Sequence, residues 1–320
     1  MQLAPADLAP MLPVLVDALP TGPGWLFELK WDGVRVLALR VGGRVELWSR
    51  RGRRVTRQYP EIAAAVAALA GGDLALDGEI VALDDAGRPS FELLQRRMHL
   101  ERDVGRVAAA VPATAYFYDC LVHAGRDVRR LPLVERKELL RALVRALGAI
   151  RYAEHVDDGP GFLAAVRAAG LEGVIAKRAD GPYRAGRHAE WRKIKCHRRQ
   201  EFVIGGWTDP KGTRVHLGAV HVGFYERGDL VYGGRAGSGL GDAHLAELVA
   251  KLRGLAMDRS PFIGGGAPGG REHHWVRPEL VCEVRFTEWT SDGVLRHPVY
   301  LGLRSDRDPT TVGKETPRRV

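Results

Sequence analysis

Apolar positions recur along the chain at two spacings, and the switches between them mark out elements. Alternation through Phe27, Leu29, Val34 and Val36, a Gly42-Gly43 turn, and resumption at Val45 and Leu47 predict a β-hairpin. Pro60 opens an Ala/Leu/Ile segment that stops at Gly71-Gly72, the asymmetry of a helix with proline at its start and glycine past its end. A near-continuous apolar run from Leu74 to Leu83 predicts a buried strand. The turn at Asp84 to Gly87 and a Ser90 cap then introduce a helix carrying Phe91, Leu94 and Met98. Thr114 to Val122 predicts another strand, Leu133 to Leu147 a helix by its spacing, and Gly173 to Lys177 and Trp191 to Lys195 two short strands.

Beyond about Arg198 the texture changes. Glycine-punctuated strands are expected at Phe202–Trp207, Val215–Tyr225, Leu230–Arg235 and Leu280–Trp289, with one helix near Ala243–Arg253 and a Gly/Pro-rich loop over Pro261–Gly270. Five or so short strands and one helix suit a small OB-type barrel. The expected architecture is therefore α+β, with a mixed α/β domain over 1–197 and a β-barrel domain over 198–320.

Composition narrows the function classes. With 45% hydrophobic and 27% charged residues the chain is globular, and no run approaches the roughly 20 apolar residues of a membrane span. The N-terminus lacks a basic stretch followed by an apolar one, so a cytoplasmic protein is expected. Cys120, Cys196 and Cys282 are far apart and odd in number, which points to neither a disulfide framework nor a zinc site. The net charge of +9 is spread over both halves and suits a polyanionic partner such as nucleic acid. Only eight of the 48 basic residues are lysines, and Lys30, Lys177, Lys193 and Lys195 all fall within short strings that carry chemistry.

Those strings are Glu28-Leu29-Lys30-Trp31-Asp32-Gly33-Val34-Arg35, Ser49-Arg50-Arg51-Gly52, Asp77-Gly78-Glu79, Tyr116-Phe117-Tyr118-Asp119, Glu172 to Lys177, and Trp191-Arg192-Lys193-Ile194-Lys195. A lysine before an Asp-Gly turn is by itself a common solvated hairpin residue. In this order and number, the set resembles the nucleotidyltransferase motifs of ATP-dependent DNA ligases. The resemblance continues through Phe202–Trp207, Glu283–Trp289 and Leu301–Asp306, which look like the OB-fold domain in the ligase module of bacterial end-joining ligases of the ligase D type.

The resemblance implies an adenylation (nucleotidyltransferase) domain with mixed and antiparallel sheets, followed by an OB-fold domain. It makes Lys30 the nucleophile that attacks the α-phosphate of ATP, a step that places charge on phosphoryl oxygens and so calls for surrounding cations. Arg35 and Arg50 are carried to the AMP phosphate and ribose or to a DNA 5′-phosphate, for which a guanidinium fork is suited. Lys193 and Lys195, two apart on one strand face, are carried to the triphosphate together with Lys177 and Arg304. Glu172 becomes a metal ligand and Glu79 a ribose or metal contact, with Mg²⁺ or Mn²⁺ expected from hard oxygen ligands and a triphosphate. Tyr118 would stack on adenine and Glu28 would read its amino group.

The implied activity is sealing of 5′-phosphate/3′-hydroxyl nicks in double-stranded DNA through a lysyl-adenylate and a DNA-adenylate, in double-strand break repair by end joining. Ku is the implied partner and a monomer the implied state. RNA ligases and guanylyl-transferring capping enzymes share the Lys30-type motifs, and a DNA-end scaffold with a decayed pocket is the non-enzyme alternative. The chain begins close to the catalytic domain, so DNA is expected to be held by the two basic domains, with salt-sensitive affinity. One departure stands out: the terminal motif of the family usually reads Arg-x-Asp-Lys, whereas this chain has Arg304-Ser305-Asp306-Arg307, which predicts reduced self-adenylation. His99, His123, His155 and His273-His274 show neither triad nor metal spacing and are expected to be structural or solvated.

Overall fold

The computed structural model describes residues 9–98, 100, 102–144, 148–196, 198–210, 216–240, 242–264 and 266–315. The chain divides into two compact units, one running to Cys196 and the other occupying the described residues from Arg198 to Glu315. The expected boundary falls at His197, which lies outside the described residues, as does His99. No helix among the described residues is long and apolar enough to cross a membrane.

Two sheets build the first unit. Sheet A has the order β1-β11-β10-β2-β9, from β1 (Met11–Leu15), β2 (Trp25–Leu29), β9 (His155–Val156), β10 (Gly173–Arg178) and β11 (Gly186–Lys195). The β1/β11 pair is parallel and the others antiparallel. Sheet B has the order β4-β3-β5-β6-β7, from β3 (Val34–Val41), β4 (Arg44–Ser49), β5 (Leu74–Ala82), β6 (Ala113–His123) and β7 (Arg126–Asp127), with β8 (Ile150–Tyr152) parallel to β6. The hairpin expected from Phe27 onward is thus only half right. β3 and β4 do turn at Gly42-Gly43, both with positive φ. The earlier residues instead form β2 in the other sheet, because Lys30 to Gly33 carries the chain across. Gly33 permits that crossing: a Cβ there would stand 2.1 Å from the Ile80 carbonyl oxygen.

Each sheet has one outward face packed with apolar side chains. Behind sheet B lie α1 (Pro60–Ala67), α2 (Phe91–Met98) and α4 (Leu133–Leu143), which contribute Ile62, Val66, Phe91, Leu94 and Leu140 to a core with Val36, Ala38, Leu76 and Phe117. α3 (Val104–Ala110) packs against α2. Behind sheet A, α5 (Gly159–Ala168) brings Val166 to Phe27, Val174, Ala176 and Ile194. The inner faces meet through a third cluster in which Leu37, Leu39, Tyr118 and Leu121 of sheet B contact Met11, Tyr183 and Trp191.

In the second unit, β12 (Arg198–Thr208), β13 (Val220–Glu226), β14 (Asp229–Ala236), β15 (Ala256–Met257), β16 (His273–Phe286) and β19 (Val299–Leu303) form one antiparallel sheet, and β17 (Glu288–Trp289) pairs with β18 (Leu295–Arg296). Helix α6 (Asp242–Gly254) covers the core with Leu245, Leu248 and Leu252 against Phe202, Val222 and Val284. The strand expected at Leu280 begins seven residues earlier, at His273, because its first half pairs with β15 and the far end of β12. Gly205 and Gly206 allow this, since side chains there would run into Phe262 and into the His274 carbonyl.

Candidate active site

The alternation of a strand explains why the chemistry gathers on one face of sheet A. In register, Ile175 stands opposite both Glu28 and Lys193, Lys177 opposite Leu26 and Trp191, and Gly173 opposite Lys195. Paired residues share a face, and the period of two adds their neighbours, so Glu28, Lys177, Lys193 and Lys195 line the inner face while Phe27, Val174, Ala176 and Ile194 take the apolar one. Lys30 follows the last residue of β2, and its backbone N–H donates to the Gly173 carbonyl at 2.9 Å. Gly173 has φ +154°, and a Cβ there would stand 2.1 Å from the Ile194 oxygen.

The Lys30 ammonium forms an ion pair with the Glu172 carboxylate. Their side chains are 20% and 5% exposed, so the pair sits at a mouth and is not sealed in. Deeper lies a second constellation. Glu28, 2% exposed, accepts from Lys137 on Oε1 and from Lys177 on Oε2, each at 2.6 Å. Lys137 also donates to the Ala153 carbonyl at 3.0 Å, and its ammonium stands 4.7 Å from the Tyr152 ring centroid. Burial would raise the Glu28 pKa, but the two ammonium groups outweigh it and hold the carboxyl below the usual range. Lys177 is pushed down to about 8, first by burial and then by Lys137, against the pull of Glu28.

Sheet B supplies the opposing wall. In register Arg35 faces Glu79, and Glu79 faces Tyr116. The Arg35 guanidinium is gripped by the fully buried Asp77, whose Oδ1 accepts from Nε at 2.5 Å and whose Oδ2 accepts from Nη2. Nη2 also donates to the Met11 carbonyl at 3.0 Å, and Nη1 has no hydrogen-bond partner among the described residues. The Tyr183 hydroxyl donates to Asp77 at 2.6 Å. Tyr118 is 7% exposed, with the Lys177 ammonium 4.1 Å and the Arg35 guanidinium 5.0 Å from its ring centroid. Tyr116 is partly buried and stacks on Trp31 with ring centroids 3.6 Å apart. Arg50 lies partly buried in the turn after β4.

The structure thus collects Glu28, Lys30, Glu172, Lys177, Lys193 and Lys195 on one sheet and Arg35, Glu79 and Tyr118 on the facing one, with Tyr118 touching Lys177 across the gap. Arg304 belongs to the second unit, where it bonds both oxygens of Asp306 at 2.8 Å and Glu283 at 3.1 Å. Arg307 is bound to Glu201 there. Among the described residues no group of three or more His, Cys, Asp or Glu is placed to hold a metal ion. The carboxylates on offer, Glu172 just before β10 and Glu79 on β5, belong to different sheets.

Sequence reasoning missed Lys137, Arg136, Asp77 and Tyr183. The signal for the first two was present: Leu133, Arg136, Lys137 and Leu140 occupy i, i+3, i+4 and i+7, so two cations ride on the buried stripe of α4. Arg136 meets Asp119 in a fully buried two-bond pair at 2.7 and 2.9 Å.

Comparison with known proteins gives a consistent picture. Residues 9–195 match the model of the ATP dependent DNA ligase domain, and residues 213–307 match that of the ATP dependent DNA ligase C terminal region. The chain is 38% identical over 322 residues to the multifunctional non-homologous end joining protein LigD of Pseudomonas aeruginosa, covering 98% of this chain and 37% of that protein. It is 39% identical over 315 residues to LigD of Mycolicibacterium smegmatis, covering 96% and 40% respectively. The chain therefore spans about two fifths of the length of these relatives. Among solved structures, a mycobacterial DNA ligase D complexed with ATP and MES matches with a TM-score of 0.69 at 36% identity, covering 95% of this chain and 98% of that one. The ligase domain of M. tuberculosis LigD matches with a TM-score of 0.51 at 36% identity, covering 98% and 100%.

Proposed function

The chain belongs to the ATP-dependent DNA ligases, and from that premise we propose that it seals 5′-phosphate/3′-hydroxyl nicks in double-stranded DNA through covalent adenylation of Lys30. The observation that carries the reading is the position of Lys30: an amine at the mouth of a two-sheet cleft, paired with Glu172, on the strand face that also presents Lys193 and Lys195. In the first step the neutral Lys30 Nζ attacks the α-phosphorus of ATP, forming a P–N bond as the α–β anhydride breaks and pyrophosphate leaves. The proton that Nζ shares with Glu172 must depart first, so the ion pair is a resting arrangement that nucleotide binding has to open. AMP then passes to the 5′-phosphate of the nick, and the 3′-hydroxyl displaces it. The first two steps trade a phosphoanhydride for a phosphoramidate and back, the last breaks the DNA-adenylate anhydride to form the phosphodiester and release AMP, and each needs cations more than a tuned base.

The roles divide by depth. Lys193, Lys195, Lys177, Arg50 and the uncommitted edge of Arg35 serve phosphate oxygens and ribose, Glu79 the ribose, and Tyr118 and Glu28 the adenine. Arg304 is the phosphate residue contributed by the OB-fold domain, with 1–197 as the adenylation domain and 198–320 as the OB-fold domain. A divalent cation fits this donor set in one way: Glu172, with Glu79 as the second candidate, would hold Mg²⁺ or Mn²⁺ while triphosphate oxygens and water complete the shell, as is usual for Mg²⁺ at nucleotides. It would supply charge neutralisation at the phosphates. By analogy with LigD, double-strand break repair by end joining is the proposed setting and Ku the proposed partner, with the chain acting as a monomer in the cytoplasm.

The test is intact mass after incubation with ATP and either cation, for the wild type and Lys30→Ala, followed by sealing of a nicked duplex. An AMP adduct on the wild type alone, with sealing, is expected. Absence of any adduct from folded protein that carries no AMP from expression overturns the reading.

A further inference from the structure

Lys137 has no part in the phosphate chemistry, yet its placement is costly. It sits on the buried stripe of α4 with its side chain 1% exposed, where an ammonium group finds no water to replace its partners. Its Nζ donates to Glu28 Oε1 at 2.6 Å and to the Ala153 carbonyl at 3.0 Å, and stands 4.7 Å from the Tyr152 ring centroid. One side chain thereby ties α4 to β2 and to the residue that follows β8.

Lys177 holds the other oxygen of the same carboxylate, Oε2, at 2.6 Å, and the two lysines differ in what else they touch. The Lys177 ammonium stands 4.1 Å from the Tyr118 ring centroid and 4.2 Å from that of Trp191. Oε1 is thus anchored through Lys137 to a main-chain carbonyl, whereas Oε2 lies toward the aromatic wall of the cleft. Each carboxylate oxygen has two lone pairs, so Oε2 keeps one for a further donor. With two cations on one carboxylate the group stays ionised despite its burial, and an ionised carboxylate can only accept. A base that presents an N–H to it gains a hydrogen bond; a base with a carbonyl oxygen there sets acceptor against acceptor and is refused. Lys137 has its own donors committed inside the protein, so it acts on a nucleotide through Glu28.

We propose that Lys137 is a specificity-determining positioning residue: bonded to Oε1, it fixes Glu28 as an anionic acceptor whose Oε2 takes the 6-amino group of adenine and repels the 6-oxo group of guanine or hypoxanthine. The proposal rests on the ligase reading and on the assignment of Glu28 to the adenine.

The test compares self-nucleotidylation with ATP and with inosine triphosphate, whose base carries a 6-oxo group in place of the 6-amino group, by intact mass in single turnover. Lys137→Met leaves Glu28 and Lys177 as a one-to-one pair, so no lone charge is stranded and a folded protein is expected, with a thermal melt as the check. The wild type should prefer ATP strongly. In Lys137→Met the preference should shrink by about tenfold, with the loss on ATP lying more in the half-saturating concentration than in the rate at saturation. Lys137→Gln, a neutral donor to Oε1, should shrink it less, and it carries the comparison if the Met variant fails to melt cooperatively. In a Glu28→Gln background, where the acceptor is already lost, adding Lys137→Met should move the ratio by less than about twofold. A wild-type ratio in the folded Lys137 variant overturns the proposal. So does a full further drop in the Glu28→Gln background, which would make Lys137 a support of the pocket independent of Glu28. A wild type that takes no nucleotide overturns the ligase reading and the proposal with it; one that adenylates while the ratio stays fixed overturns the proposal alone.

Discussion

The two units handle buried charge in different ways. In the first, Glu28, Lys137, Lys177, Arg136 and Asp119 are at most 2% exposed, and each is bonded to a partner on another element. In the second, Arg304, Glu283, Arg307 and Glu201 form a comparable network but keep 9 to 21% of their side-chain surface open. Interior ions repay their desolvation only while every partner stays in place, so they fix the floor of the cleft; pairs that keep some contact with solvent lose less when a partner leaves. The first arrangement suits a pocket that must present the same cations to every nucleotide. The second suits residues that have to let go of one another to reach a phosphate.

If the contrast holds, the largest effect comes from the mouth of the cleft and leaves stability almost untouched. Lys30→Ala removes the nucleophile, and adenylation should fall by more than about a thousandfold. Because Lys30 is 20% exposed, the melting temperature should move by no more than a few degrees. Mass spectrometry and a thermal scan check both halves, and a collapse of the fold would mean that the mouth is as structural as the floor.

Next comes the floor itself. Arg136→Met strands Asp119 in an apolar interior and should cost about 3–5 kcal/mol. Adding Asp119→Leu should recover a good part of that, because it removes the stranded charge together with its partner. Denaturant midpoints, with hydrogen exchange of β6 amides to localise the loss, distinguish the outcomes. Equal destabilisation by Arg307→Met in the second unit would erase the comparison.

A third experiment sharpens it from the neutral side. The second unit buries His221, hydrogen-bonded to Tyr232 at 3.1 Å and to His273 at 3.0 Å. Burial, then His273 and Arg235, push its pKa down to about 4. The unfolded histidine takes a proton near pH 6.5, so between about 4 and 6.5 the unfolded state binds more protons and acid favours unfolding. Stability from this group is complete above that window and declines through it, by up to about 3 kcal/mol at its acid end. His221→Gln should flatten the acid limb of the unfolding free energy, and an unaltered limb would assign it to another group.

Much of this was legible in the sequence where a function is written into a short string. Lys30, Glu172, Lys193 and Lys195 are legible because their short strings occur in the order and number of the ligase motifs, and the two-residue period adds that Lys193 and Lys195 share a strand face. The pairing that buries Glu28 and Lys177 with Lys137 is not, because the contacts are long-range: Glu28 reaches Lys137 and Lys177 across 109 and 149 residues. β1 escaped notice since Pro13 interrupts its pattern and its partner is a parallel strand far along the chain. The expected hairpin at Phe27 failed for a related reason: alternation continues through Lys30 to Gly33, and periodicity alone does not say that two arms belong to different sheets.

The smallest predicted effect bears on the terminal motif. Arg307 donates to Glu201 Oε1 from Nε at 2.7 Å and from Nη2 as well, a fork grip at a site about one fifth exposed. Lysine would keep the charge, lose one of the two bonds, and release its ammonium more readily to a leaving pyrophosphate, since a compact point charge has no planar geometry to satisfy. Arg307→Lys should therefore shift stability by less than about 1 kcal/mol and raise the self-adenylation rate by no more than about fivefold, the equivalent of that energy. Single-turnover adenylation at saturating ATP is the appropriate measurement, because it excludes DNA steps. A slower Lys variant would mean that Glu201 and the guanidinium act as a matched pair in this chain. Destabilisation of about 3 kcal/mol or more would place the network with the interior ions of the first unit.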